Sequence, residues 1–295
     1  MFRNLRLYRL DTDWPDSERT VSDKLEEASF APCGPLTDKS SGFVPIAPEN
    51  DELLARRVNG ADLLRLRTQS RIMPTAAVNE ALEARIDEFT KRTGEAPSAR
   101  EKRRLKTEVK DELLPKAMLR SDRTWGFVDP KRAIVAIDSA QSAAAERFLR
   151  RLRAPFGSLN SRPLGFARPV NEMLTKLFLG DEVGNFSLGR ECRMRDPSSA
   201  KSSVRWTDFD LTESSIRHHV ADGMQLTHLG VVYDNVMSCV IDEDGVITKI
   251  RLLGMDEDSV DDGNALAKLD AEFVLLTGTF RLMLEDLRKA LGGYA

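Results

Sequence analysis

The sequence predicts an α+β protein with mostly antiparallel sheets. Two observations carry that reading. Stretches with apolar residues at every second position alternate with stretches at helical spacing along all 295 residues. Several of the strand-like stretches are separated by short turn sequences, Pro130-Lys131 and Asp242-Glu243-Asp244-Gly245 among them, which close hairpins and not parallel crossovers. Hairpins at this frequency argue against a doubly wound parallel sheet. A hydrophobic fraction of 41% is ordinary for a folded chain.

The elements follow in order. FRNLRLYRL (2–10) reads as a strand of imperfect alternation, with Leu5, Leu7 and Leu10 toward a core and Arg3, Arg6 and Arg9 toward water. Residues 16–29 read as a helix on Val21, Leu25 and Ala28, ended by Phe30-Ala31-Pro32-Cys33-Gly34, because the residue before a proline disfavours the helical region. Pro35, Pro45 and Pro48 mark 35–50 as an irregular connection, and ADLLRLRTQSRIM (61–73) as a strand ending at Pro74. A helix over 75–93 gathers Ala77, Val78, Ala81, Leu82, Ile86 and Phe89 and stops at Gly94. A second helix over 98–113 starts at Ser98 and carries one narrow stripe, Leu105, Val109 and Leu113, so most of its girth faces solvent. Strands at 123–129 and 132–138 form a hairpin, followed by a helix to about Arg153 with Ala143, Ala144, Phe148 and Leu152 inward. The last third reads as a strand near 203–209, a helix from Thr212 to Val220, strands at 224–234, 236–242 and 246–254, and a helix over 264–291 closed by Gly292-Gly293. The expected organisation is a sheet-bearing unit of residues 1–74 plus 121–165, a helical hairpin at 75–120, and a C-terminal α+β unit at 166–295.

Charge is segregated along the chain. The net charge is -3, yet residues 91–205 hold 25 Lys/Arg against 14 Asp/Glu, while residues 206–295 hold 7 against 17. Such polarity suits a polyanion on one face and repels it from another. No apolar run approaches the ~18 residues of a membrane span. The N-terminus alternates and lacks the continuous apolar run of a signal peptide. Cys33, Cys192 and Cys239 are odd in number and far apart, which fits a reducing cytoplasm.

The chemistry motifs are mostly negative. GxxxxGK[ST], GxGxxG, HExxH, CxxC and GxSxG are all absent, so no cofactor is expected. His218 and His219 are adjacent on a helix and diverge by about 100°, which does not suit a shared metal ion. Two acidic runs, 242–244 and 256–262, read as solvated loops, the second failing the calcium-loop pattern at Val260. Asp208 and Asp210 read as a same-face carboxylate pair on a strand, without a partner motif. The strongest feature is the basic run 98–120, with Arg100, Lys102, Arg103, Arg104, Lys106, Lys110, Lys116 and Arg120. One reading is a solvated helix neutralised by Glu101, Glu108, Asp111 and Glu112. The other is phosphate binding without base readout, supported by the basic block around it and by the absence of any sequence-reading motif. Arg147, Arg150, Arg151 and Arg153 extend the block, and also suit a helix C-terminus.

Several short strings occur in a particular order. They are FRNLRLYRL, the Phe30–Gly34 turn, LLPKA at 113–117 after the basic helix, Trp125, Val128-Asp129 and Ile137-Asp138-Ser139-Ala140. Ala145-Glu146, Leu152-Arg153, Gly157-Ser158-Leu159, Asp210-Leu211-Thr212, Asp270-Ala271-Glu272-Phe273, Thr277-Gly278 and Leu291-Gly292-Gly293 complete them. Together they resemble the recombination-associated protein RdgC family, from end to end. The resemblance implies a curved α+β subunit forming half of a ring-shaped homodimer. It also implies a positively lined hole that admits double-stranded DNA without sequence preference, and restraint of the recombinase RecA without catalysis. A cytoplasmic, nucleoid-associated protein with no membrane partner follows from it.

Two positions depart from the family pattern. Met118 stands where an aromatic residue usually enters the partner subunit, and methionine fills such a pocket more loosely. Before Asp210-Leu211-Thr212, Arg205 keeps a cation, but Asp208 and Phe209 replace an expected lysine and glutamine. This moves the expected DNA contacts to the basic helix and to the arginines of 147–153, Arg150 and Arg151 among them. Packing is the preferred role of Trp206 and Phe209, base stacking the other. A protein-interaction module acting on a recombinase, with little DNA affinity of its own, is the alternative reading. A metal-dependent enzyme using Asp208 and Asp210 is the remote one.

Overall fold

The computed structural model describes residues 1–47, 52–157, 159–254 and 265–295. Its architecture is α+β, built on two antiparallel sheets. The first sheet takes β1 (Arg6–Leu10), β2 (Lys39–Phe43), β3 (Ala55–Val58), β4 (Ala61–Ile72), β5 (Met118–Asp129), β6 (Ile134–Ile137) and β7 (Ser161–Pro163). Their spatial order is β2-β4-β5-β6-β1-β7, with β3 also on β4. The second sheet takes β8 (Phe186–Asp196), β9 (Ser199–Thr207), β10 (Gln225–Tyr233), β11 (Met237–Asp242) and β12 (Ile247–Leu252), in the order β12-β11-β10-β8-β9. A bridge between Leu5 and Ile247 joins the two sheets backbone to backbone.

The helices are α1 (Glu18–Leu25), α2 (Thr75–Thr93), α3 (Ala99–Leu113), α4 (Ser142–Phe156), α5 (Val170–Leu179), α6 (Ser214–Ala221) and α7 (Ala265–Ala290). Ser17 caps α1 by accepting from the Thr20 amide, as its residue type favours. Gly94 takes the left-handed conformation (φ 78°) that ends α2. Among the described residues, no helix is long and apolar enough to cross a membrane.

Both faces of the first sheet are buried near its centre, which accounts for the imperfect alternation of the N-terminal strand. Leu5, Leu7, Leu63 and Phe127 enter one core, shared with α5, α7 and the second sheet. Tyr8, Leu10, Leu64 and Leu66 enter another, under α1 and α4. Ion pairs fasten α7 to the first sheet: Arg281 to Asp129 at 2.7 Å, and Arg56 to Asp270 at 2.5 Å. Asp62 is fully buried, and accepts from Trp14 Nε1 at 2.6 Å and from Arg57 through Nε and a terminal nitrogen at 2.7 and 2.6 Å.

Several local readings need correction. The proline-marked connection contains β2, because Phe43 is needed against Phe148 in the second core. A two-residue turn, Asn59-Gly60 with φ of 51° and 73°, makes a β3–β4 hairpin. The inward face of α4 is Ala145, Phe148, Leu149 and Leu152; Ala143 is exposed, since Phe148 sets the helix rotation by packing on Gly126, where any Cβ would come within 2.5 Å of its ring. Residues 256–262 lie outside the described residues.

Between β4 and β5 the chain makes the helical hairpin α2–α3, which packs chiefly on itself. Val78, Leu105 and Val109 are buried there, while Leu82, Ile86 and Phe89 remain half-exposed. Arg71 clamps the root of the hairpin by donating to the carbonyls of Pro115, Ala117 and Gly34.

Candidate nucleic-acid interface

The charge balance of α3 is decided by what its acids already do. Glu101 closes a capping box: Ser98 Oγ accepts from the Glu101 amide, and the Glu101 carboxylate accepts from the Ser98 amide at 2.8 Å and hydroxyl at 2.7 Å. Those bonds hold its carboxyl below the usual range, so it serves the helix terminus. Glu112 is taken by Arg85 of α2 at 2.7 Å. Among the described residues, Glu108 alone pairs within the basic run, with Arg104 at 3.4 Å, and the exposed Asp111 makes no ion pair within 4.0 Å. Among the described residues, Arg100, Lys102, Arg103, Lys106, Lys110 and Lys116 make no ion pair within 4.0 Å, and all but the half-buried Lys106 are exposed. Neutralisation within the helix therefore covers one cation. Arg120 lies past the helix on β5, paired with Asp122 at 3.1 Å.

The remaining predicted contacts are spread over other surfaces. Arg150 is exposed on α4, and Arg151 donates to Ser41 Oγ at 3.0 Å, which places both on the α4 side of the first sheet. Arg205 lies on the second sheet and donates to Glu191 at 2.9 Å; Lys249 bonds the same carboxylate. Burial raises the Glu191 carboxyl, but the Lys249 and Arg205 hydrogen bonds outweigh it and leave the group below its usual range. Met118 is 78% exposed at the start of β5, opposite Ile72, with Leu119 beside it in sequence. Leu36, also 78% exposed, sits by the same root in a pocket with Met73 and Lys106.

The Asp208–Asp210 pair does not form on a strand. β9 ends at Thr207, Asp208 adopts φ 54°, and its carboxylate meets Arg190 at 2.7 Å. Asp210 instead accepts from the amide and hydroxyl of Thr212 and is held below its usual range by those bonds. Trp206 packs half-buried against the first core and lies 5.1 Å from the His219 ring, as the packing reading requires, whereas Phe209, for which packing is also expected, is 39% exposed past the end of β9. His218 faces Asp222 at 3.5 Å, and His228 faces Thr227 at 3.1 Å, so the histidines do not converge. Among the described residues no three His, Cys, Asp or Glu side chains are grouped to hold a metal ion.

The sequence reading passed over a second basic surface. On one face of β4 and β5 lie Arg65, Arg67, Gln69 and Arg71, opposite Trp125, Arg123, Ser121 and Leu119. The signal was available as basic residues at a spacing of two within a strand, which the alternation rule places on one side.

The whole chain agrees with one family. The model described as "Putative exonuclease, RdgC" matches residues 1–294. The recombination-associated protein RdgC of Stenotrophomonas maltophilia (strain R551-3) is 32% identical over 98% of each chain. Proteins of the same name from Xanthomonas axonopodis pv. citri and Xanthomonas oryzae pv. oryzae are each 32% identical over 98% of this chain and 97% of their own. With its α+β fold and its end-to-end match, this chain belongs to the RdgC family.

Proposed function

We propose that the chain binds double-stranded DNA without sequence preference, as a ring-shaped homodimer that encircles the duplex and limits access of the recombinase RecA in the nucleoid. The observation that carries this reading is α3. Three of its four acids are committed to a cap, to Arg85 and to Arg104, the fourth, Asp111, makes no ion pair within 4.0 Å, and its other cations make none either among the described residues. Free cations on a projecting helix meet phosphates by releasing counterions, which gives salt-sensitive binding that ignores base sequence. The exposed apolar group Met118, Leu119, Ile72 and Leu36 at the hairpin root supports a subunit contact there.

The test is fluorescence anisotropy of a labelled duplex of ~30 base pairs at several salt concentrations, with unlabelled duplexes of unrelated sequence as competitors. Salt-sensitive binding, competed equally by every duplex, is the expected result. Sedimentation of the same protein should return twice the 33.0 kDa chain mass. A protein-interaction module is the second reading, favoured by the acidic last third and by Arg205 being held by Glu191. Absent duplex binding, with recombinase capture that survives nuclease treatment, would select it. The family description names an exonuclease, so labelled DNA should also be incubated with magnesium and with manganese; release of nucleotides would overturn the non-catalytic reading.

A further inference from the structure

The polar half of the β4–β5 face is electrostatically unusual. Four arginines, Arg65, Arg67, Arg71 and Arg123, share it with Gln69, Ser121, Trp125 and Leu119, while the acid of β5 on the same face, Asp129, lies at the far end of the strand and is held by Arg281. Among the described residues none of the four has a carboxylate within 4.0 Å. Arg67 and Arg123 are direct cross-strand partners, an arrangement of like charges that destabilises a sheet. Among the described residues, the buried Nε atoms of Arg65, Arg67 and Arg71 find no hydrogen-bond partner. Burial, and then the charge of Arg123, pull the Arg65 guanidinium below its usual value. The protein thus holds clustered positive charge, partly out of water, with no carboxylate paired to it among the described residues.

The side chains are also pre-positioned. The Arg67 guanidinium lies 4.5 Å from the centre of the Phe30 ring and donates to Ser121 Oγ at 3.1 Å. Arg65 lies 5.2 Å from the centre of the Trp125 ring and donates to the Pro45 carbonyl. Stacking of this kind fixes a guanidinium plane while leaving its outer edge able to donate. Arg71 differs, since three carbonyls already occupy its terminal nitrogens. Arg123 is exposed and has no hydrogen-bond or ion-pair partner among the described residues. Along a strand, every second residue advances roughly 7 Å, so Arg65 and Arg67 repeat at a spacing of the order of successive phosphates in a nucleic-acid strand.

We propose that this face, centred on Arg65, Arg67 and Arg123, is a phosphodiester-binding track that takes the DNA backbone, with α3 flanking it. The inference rests on the DNA-binding reading above and names a contact surface within it. A backbone lying here supplies the missing counter-charge, and removes the Arg67–Arg123 repulsion when it binds.

The experiment compares wild type, Arg67→Gln/Arg123→Gln and Arg67→Lys/Arg123→Lys in the same ~30-base-pair duplex titration. Loss of two phosphate contacts should lower the salt slope by roughly 1.8, so that the affinity lost between 50 and 200 mM salt shrinks about 12-fold. The lysine variant should keep most of the slope, because charge is retained. If wild type binds with a salt slope and the glutamine variant keeps that slope, this face is not the track, and the DNA-binding reading stands without it. If wild type does not bind, the reading and the inference fall together. Should the double variant melt early, Arg123→Gln alone, at an exposed position, must still lower the slope by roughly 0.9; an unchanged slope there overturns the proposal.

Discussion

Replacing Lys102, Arg103, Arg104 and Lys106 together with alanine removes four cations from one helix. The structure says how many of them count. Arg104 is already partnered by Glu108 at 3.4 Å, whereas Lys102, Arg103 and Lys106 make no ion pair among the described residues. Three phosphate contacts is therefore the working number. Each contributes roughly 0.9 to the slope of log affinity against log salt on duplex DNA, so the slope should fall by roughly 2.7. Across a fourfold rise from 50 to 200 mM salt, the affinity lost by the variant is then about 40-fold smaller than that lost by wild type. Alanine is the best helix former, and Leu105 and Val109, the buried anchors, are untouched, so α3 should persist. The assay is duplex anisotropy over the salt series, with circular dichroism as the folding control. An unchanged slope in a folded variant would refute the reasoning and remove α3 from the interface.

Three further outcomes follow from particular contacts. Asp62→Ala strips a buried carboxylate from Arg57 and Trp14, and should cost about 3–5 kcal/mol, read as a lower urea midpoint at constant m; a loss within error would mean that Arg57 finds a new partner. Glu191 is held below its usual range by Lys249 and Arg205, so its contribution is present at neutral pH and is lost as pH falls through its folded value. Glu191→Gln should lower the melting temperature near pH 7 and flatten its fall below the ordinary carboxylate range of about 4.3; a parallel shift at all pH values would contradict this. Burial pushes the thiols of Cys192 and Cys239 up to about 12, whereas Cys33 is half-exposed, so a thiol reagent at pH 8 should label one cysteine quickly and three only after unfolding.

The sequence by itself determined the α+β class, the hairpins, the helical excursion and the family. These are legible because they depend on local periodicity, on turn chemistry such as Gly94 and Asp242–Gly245, and on ordered strings. It also located the basic run 98–120. It did not determine which of those cations are free. That depends on Glu112 crossing to Arg85 and on Glu101 turning back to its cap, which are pairings between elements and within a terminus. The carboxylate pair at 208–210 failed for a related reason. Strand geometry stops at Thr207, because Asp208 enters the left-handed region and turns to Arg190. Strand register was the other thing only the tertiary structure decided. Arg67 and Arg123 are 56 positions apart in sequence, and nothing local places them face to face. The hydrogen-bonded ladder of β4 and β5 does so, since antiparallel pairing turns a spacing of two in each strand into one continuous face.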